Sequence, residues 1–300
     1  MRNYDLGFFR EENKFDKRTK TSWLNYLDNK DNFGHAERDL IDKDLEHHIK
    51  ECLKSSFESV SRIYVDIKDL KPKLILEIGS SVGFNCIQSK NIFPESIVIG
   101  IEPEIQALKV AENMKYDFKL NKLYFINSIG EKLPFRDNQF DLIICHTVIE
   151  HVINVDSVIK EMSRVLKPKG VVHLEAPNYN WPYEPHLGVW CIPMLGKKSV
   201  KFLSKIQKKA PNTDFINHLQ FVNPQQLEKI FKKLPLQWEN LTLNKITAIV
   251  EGNNSSVKKY IRLSELLFLL NKLKLKNIFL KIIMFFKIYP SLMYLIKKNK

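Results

Sequence analysis

Glu77-Ile78-Gly79-Ser80-Ser81-Val82-Gly83-Phe84-Asn85 joins a short apolar run to a helix-like stretch, and this is where open α/β sheets bind ligands. Gly79 and Gly83 carry no Cβ, so the backbone can turn tightly and approach a bound group, while the following helix start offers N–H groups. Residues Gly79 to Gly83 also fit G-x-S-x-G, the nucleophile elbow of hydrolases, with Ser81 as nucleophile. A plain tight turn is the third reading. Glu102 ends the next apolar run, where a carboxylate can accept two hydrogen bonds from a ribose diol; a hydrolase has no use for it. Three histidines are candidates for taking the proton of an alcohol or phenol: His146, His151 and His186. His146 either takes that proton or lines the ligand pocket. His151 reads as a structural or supporting residue. His186, in Tyr183-Glu184-Pro185-His186, is either a base or an ordinary loop residue.

Four further blocks follow in order: Glu131-Lys132-Leu133-Pro134-Phe135, Asn138-Gln139-Phe140-Asp141-Leu142-Ile143, His146-Thr147-Val148-Ile149-Glu150-His151-Val152 and Arg164-Val165-Leu166-Lys167-Pro168-Lys169-Gly170. Their order and spacing resemble the class I S-adenosylmethionine-dependent methyltransferases, in the branch related to ubiquinone and menaquinone biosynthesis methyltransferases, over about residues 73–177. The resemblance implies an enzyme that uses S-adenosyl-L-methionine. By it, Glu77, Gly79, Ser81 and Gly83 would frame the methionine end of the cofactor and Glu102 would hold the ribose hydroxyls. Ile129, Gly130 and Glu131 would lie along the adenine, and Cys145 and His146 would face the sulfonium. Three positions depart from the family's pattern: Ser81 replaces the middle glycine of the first motif, the acid beside the adenine is replaced around Ser128 and Ile129, and Lys169 replaces a glycine.

The elements that must position these residues are legible as alternation. Leu74 to Ile78, Ile97 to Ile101, Leu123 to Ile126, Asp141 to Cys145 and Val171 to Leu174 are near-continuous apolar runs. They alternate with helical patterns at Ile105 to Met114 and at Val155, Val158, Ile159, Met162, Val165 and Leu166. That pattern predicts a parallel sheet covered on both faces: a doubly wound, Rossmann-like α/β domain. Ile41, Leu45, Ile49, Cys52, Leu53, Phe57 and Val60 predict a helix ahead of it. The first thirty residues, with Phe8, Phe9, Trp23 and Tyr26, have no strong period and read as an arm. A loop-rich, aromatic stretch at 178–217 follows the fifth strand and is expected to cover the acceptor; Tyr179, Trp181, Tyr183 and Trp190 would stack on a ring or pack against the sheet. Asn223, Pro224 and Gln226 predict a capped helix start, and Leu241 to Val250 reads as a closing strand. The expected organisation is an N-terminal arm and helix at 1–70, a cofactor-binding domain at 71–256 and a basic, apolar helical tail at 257–300.

Net charge is +13, from 47 basic and 34 acidic residues. Residues 257–300 hold 11 Lys/Arg against Glu265 alone, so the tail carries +10 and everything before it +3. The basic character is therefore a property of the tail. Residues 277–296 are long enough to span a bilayer but contain Lys281, Lys287 and Pro290, and a lysine at mid-bilayer costs about 2.5–3.5 kcal/mol. A helix in the headgroup layer of an anionic membrane is expected instead, with packing on the enzyme or a second subunit as the alternative. The 4 cysteines, Cys52, Cys86, Cys145 and Cys191, are unpaired in spacing, and His47-His48 has no accompanying ligand set, so neither a disulfide framework nor a metal is expected. No apolar run of signal-peptide length precedes the first charges. Added to the activity that the resemblance implies, these features predict a cytoplasmic methyltransferase, peripheral on the inner face of a membrane, that O-methylates a small-molecule, glycan or lipid-linked acceptor. A nucleic-acid methyltransferase is the alternative, but no Asn-Pro-Pro-Tyr signature follows the fourth strand, where Cys145-His146-Thr147-Val148 stands; a serine hydrolase built on Ser81 is the other.

Overall fold

The computed structural model describes residues 15–28, 45–67, 69–193, 195–208, 214–250 and 261–299. Phe8 and Phe9 of the expected arm, Ile41 of the expected helix and the start of the expected tail lie outside the described residues. Strands β1 (Leu74–Ile78), β2 (Ile97–Glu102), β3 (Leu123–Asn127), β4 (Phe140–His146), β5 (Leu166–Pro177), β8 (Leu236–Asn240) and β9 (Ser291–Lys298) form a seven-stranded sheet in the order β3-β2-β1-β4-β5-β9-β8. A separate two-stranded ribbon pairs β6 (Tyr183–Glu184) with β7 (Val189–Trp190). The chain divides into two compact units, residues 1–144 with 165–167, and 145–164 with 168–300.

In the first unit β1, β2 and β3 run parallel, with Leu74 opposite Ile97 and Val98 opposite Leu123. Ile75, Leu76, Ile78, Val98, Ile101 and Leu123 are buried, which is why these strands read as unbroken apolar runs. Helices α2 (Leu45–Asp66) and α3 (Phe84–Ile92) pack together, and so do α1 (Lys17–Asp28) and α4 (Ile105–Asp117). The arm reading is corrected at α1, a helix that buries Thr19, Trp23 and Tyr26 on one side. Trp23 lies 5.7 Å from the Phe84 ring, and Phe15 meets Phe118 edge-on at 5.8 Å. Only three positions of α1 face inward, and one is a threonine, too few for a hydrophobic period to emerge.

In the second unit β9 lies between β5 and β8 and is antiparallel to both, pairing Leu174 with Tyr294 and Trp238 with Ile296. Its residues Leu292, Met293, Tyr294, Leu295 and Ile296 are buried. The expected helical tail is thereby corrected: residues 291–298 are an inner strand, and among the described residues of the tail the helices are α10 (Ile261–Lys272) and α11 (Lys276–Phe285). The expected closing strand is corrected as well, because Thr242–Val250 is helix α9. Asn240 Oδ1 accepts the Thr242 N–H at 2.9 Å, an Asx-type start that turns the chain out of β8, and the α9 residue Lys245 pairs with Glu175 of β5. Helix α5 (Val155–Val165) precedes β5; α6 (Gly196–Ile206) and α7 (Asp214–His218) lie in the aromatic insertion. Helix α8 (Pro224–Phe231) begins as predicted, with Asn223 Oδ1 accepting the Gln226 N–H at 2.9 Å.

Candidate functional site

The glycine turn leaves β1 with three residues in the left-handed region: Gly79 at φ 68°, Ser81 at φ 47° and Gly83 at φ 86°. Ser81 occupies its position without the freedom of the glycine it replaces, and so does Lys169, at φ 66°. A Cβ at Gly83 would come within 2.7 Å of Phe125 Cζ, so the turn is packed directly on β3. Glu102 closes the turn from the end of β2. Its Oε2 accepts the Ser81 N–H at 2.9 Å and its Oε1 accepts the Glu104 N–H at 3.1 Å. Beyond β3, the Ser128 N–H donates to the Glu102 carbonyl at 3.3 Å, which ties Ile129, Gly130 and Glu131 to the same edge. Ile129 is 46% exposed. The carboxyl ends of three adjacent parallel strands thus bring together Gly79, Ser81, Gly83, Glu102 and the 129–131 segment.

Glu77 is the buried member of this group. Its Oε1 accepts from Asn85 Nδ2 at 2.9 Å and its Oε2 from the Cys86 thiol at 2.8 Å. Burial pushes its carboxyl up to about 7 despite both hydrogen bonds, since desolvation disfavours the charged form. The Cys86 thiol is pushed well up by burial and by Glu77, so it stays protonated. Ser81 Oγ lies 3.4 Å from Tyr26 Oη.

Cys145 and His146 end β4 and belong to the second unit. Cys145 is buried. His146 Nε2 is 2.8 Å from Nδ1 of the fully buried His173 on β5, so one imidazole donates and the other accepts. Nothing in the sequence pairs these two histidines; β-sheet geometry does. His186 stands elsewhere in the unit. Its Nδ1 is 2.6 Å from Oε1 of the buried Glu184, and its ring meets His151 edge-on at 4.9 Å. Glu184 also accepts from Tyr179 Oη at 3.4 Å and from the Leu187 N–H at 2.6 Å. His151 Nε2 is 3.9 Å from Oε1 of the buried Glu150, and burial, together with the neighbouring His186, pushes His151 down to about 4. It is therefore neutral near pH 7. Among the insertion aromatics, Tyr179 stacks on Phe221 at 4.1 Å and Tyr183 packs against Trp190 at 5.3 Å, while Trp190 remains 47% exposed.

Residues 76–174 match the family described as Methyltransferase domain. An uncharacterized methyltransferase of Schizosaccharomyces pombe is 34% identical over 109 residues, 34% of this chain and 39% of that protein's length. A demethylmenaquinone methyltransferase of Oceanobacillus iheyensis is 27% identical over 187 residues, 55% of this chain and 78% of that protein. The crystal structure of the YcgJ protein of Bacillus subtilis shares the fold at a TM-score of 0.50 and 17% identity, over 81% of this chain and 99% of that one. The matched segment contains the Gly79–Gly83 turn, Glu102 and the 129–131 loop, which makes the turn part of a methyltransferase domain and not a hydrolase elbow. The match covers residues 76–174, a segment of this chain that is similar to the methyltransferase domain of S-adenosylmethionine-dependent enzymes.

Proposed function

We propose that this protein transfers the methyl group of S-adenosylmethionine to an oxygen of a small-molecule, glycan or lipid-linked acceptor at the cytoplasmic face of an anionic membrane. The observation that carries the reading is the closed pairing of the left-handed turn after β1 with Glu102 at the end of β2. The donor set suits this cofactor. Glu102 offers carboxylate oxygens to the ribose hydroxyls, Ile129 offers an apolar surface to the adenine, and Glu77 offers a buried carboxyl as partner for a cationic amino group. The bound cofactor supplies an electrophilic methyl group on sulfur; the protein's task is to align the acceptor, exclude water and accept a proton.

His146 and His186 are the candidates to accept that proton. His146 Nε2 is engaged by His173, and His186 Nδ1 by Glu184, a carboxylate contact of the kind that fixes a tautomer. The membrane part of the reading is supported by α10 and α11. Phe268, Leu269, Leu273, Ile278, Ile282, Phe285 and Phe286 are exposed there, Phe285 at 80%, beside exposed Lys272, Lys274 and Lys281. Apolar side chains interleaved with lysines suit the headgroup layer, where each lysine contributes about 1 kcal/mol. Among the described residues no helix is long and apolar enough to cross a membrane.

Calorimetry with S-adenosylmethionine and S-adenosylhomocysteine tests the cofactor site. Glu102→Ala should weaken binding by about 1–3 kcal/mol and Gly79→Arg should abolish it; no heat from the parent at millimolar cofactor would overturn the reading. Labelled methyl transfer should appear in lipid or glycan fractions, and label confined to RNA would favour the nucleic-acid alternative. In flotation, the parent should rise with anionic vesicles and Phe285→Ser/Phe286→Ser should not. Equal flotation of the two would remove the membrane from the proposal.

A further inference from the structure

We infer that Glu150, His151 and His186 form a binding site for a divalent transition-metal cation. One ligand atom from each of the three lies within 4.8 Å of the other two. Two imidazoles and one carboxylate make an N2O donor set, the kind that suits zinc and its first-row neighbours and leaves positions open for water or substrate oxygen. None of this is a spacing signal, because Glu150-His151 follows β4 while His186 sits in the loop between β6 and β7.

The surroundings are arranged as they are around metal-binding histidines. Glu184 is fully buried and holds His186 Nδ1 at 2.6 Å, which would make Nε2 the ligating nitrogen. Its own oxygens are positioned by the His186 and Leu187 N–H groups at 3.2 and 2.6 Å and by Tyr179 Oη. A carboxylate behind a ligating imidazole is the usual device for orienting the ring and raising its basicity. The Glu150-His151 segment is held through its backbone: the Gln220 N–H donates to the Glu150 carbonyl at 2.6 Å and the His151 N–H to the Val148 carbonyl at 2.8 Å. Metal–ligand bonds of about 2.0–2.2 Å require the three atoms to close in by roughly an ångström, a movement available to His186, whose side chain is 23% exposed on a loop. A dication would also offset the charges of the Glu150 and Glu184 carboxylates. With the cation on His186 Nε2, the proton-accepting role falls to His146, and an acceptor hydroxyl on the metal would lose its proton more easily.

The test uses the full chain, stripped with a chelator, then titrated with Zn2+ by calorimetry and with Co2+ by visible absorption. One equivalent should bind, and Co2+ should give ligand-field bands of reduced coordination number. His151→Asn and His186→Asn should each weaken Zn2+ binding by at least about 100-fold, and Glu184→Gln, which among the three ligands contacts His186, by about 10- to 100-fold. Melting curves of the metal-free variants serve as the folding control; if Glu150→Gln does not fold, the partly exposed His186 decides. Absence of binding overturns the inference. So does binding that His186→Asn leaves unchanged, which would move the ion to another site such as His47-His48. Neither outcome bears on cofactor binding, so the methyltransferase reading is tested separately.

Discussion

Glu77→Gln should make the cofactor-free protein more stable at pH 8 while weakening its hold on S-adenosylmethionine. The carboxyl of Glu77 is pushed by burial from 4.5 to about 7 in the fold. At about 1.4 kcal/mol for each tenfold change in proton affinity, ionising it in the folded chain costs about 3 kcal/mol more than in the unfolded one. Below pH 4.5 the group is protonated in both states and contributes nothing, whereas above about pH 7 it is ionised in both and the full cost is present. Stability is therefore lost as pH rises through that window, the sign for an acid whose folded value is raised. Glutamine keeps the acceptor for Asn85 and cannot ionise. Urea unfolding of parent and variant across the window gives the difference directly, free of every other titrating group: it should grow toward about 3 kcal/mol in favour of the variant. Because the ionised carboxylate is the form that would pair with the cofactor's amino group, parent affinity should rise with pH and level off near 7, and the variant's should not. A parent-minus-variant difference that stays flat across the window would refute the reasoning, since it would mean Glu77 ionises as readily in the fold as in the unfolded chain.

Ser81→Gly and Lys169→Gly should each stabilise the protein by about 0.5–1 kcal/mol in urea melts, because relief of a left-handed non-glycine residue, about 1–2 kcal/mol, exceeds the added entropy of the unfolded chain, about 0.5–1 kcal/mol. Unchanged melts would indicate that local contacts already offset the strain. Gly83→Ala should destabilise by about 2 kcal/mol or more, since its Cβ would fall 2.7 Å from Phe125 Cζ at a positive φ; thermal melting checks this. A chain ending at Pro290 loses β9 and the five buried hydrophobic side chains Leu292 to Ile296, each contributing about 2 kcal/mol against a total stability of about 5–15 kcal/mol. Circular dichroism of it should show no cooperative melt.

The backbone frame of the proposed cofactor site was legible because it is local. A strand, a glycine turn and a carboxylate one strand further on are set by short-range steric rules and by the alternation of apolar runs, so Gly79, Gly83 and Glu102 could be placed before any contact was known. Even the two departures from glycine carried information, since Ser81 and Lys169 both take up the left-handed backbone their positions demand. What the sequence left open depends on pairing across long stretches of chain. The apolar run ending in Leu292 to Ile296 has the same composition whether it lies on a membrane or between two strands, and only the backbone hydrogen bonds of β5 and β8 decide for the strand. With that strand at the chain's end, Leu241 to Val250 was released to form a helix, started by Asn240. The histidines divide on the same principle. His146 could be named from its motif, but its engagement by His173 follows from neighbouring strands, and the convergence of Glu150, His151, Glu184 and His186 follows from a hairpin folding back. Sequence spacing determines which residues share an element; three-dimensional packing alone determines which elements share a site.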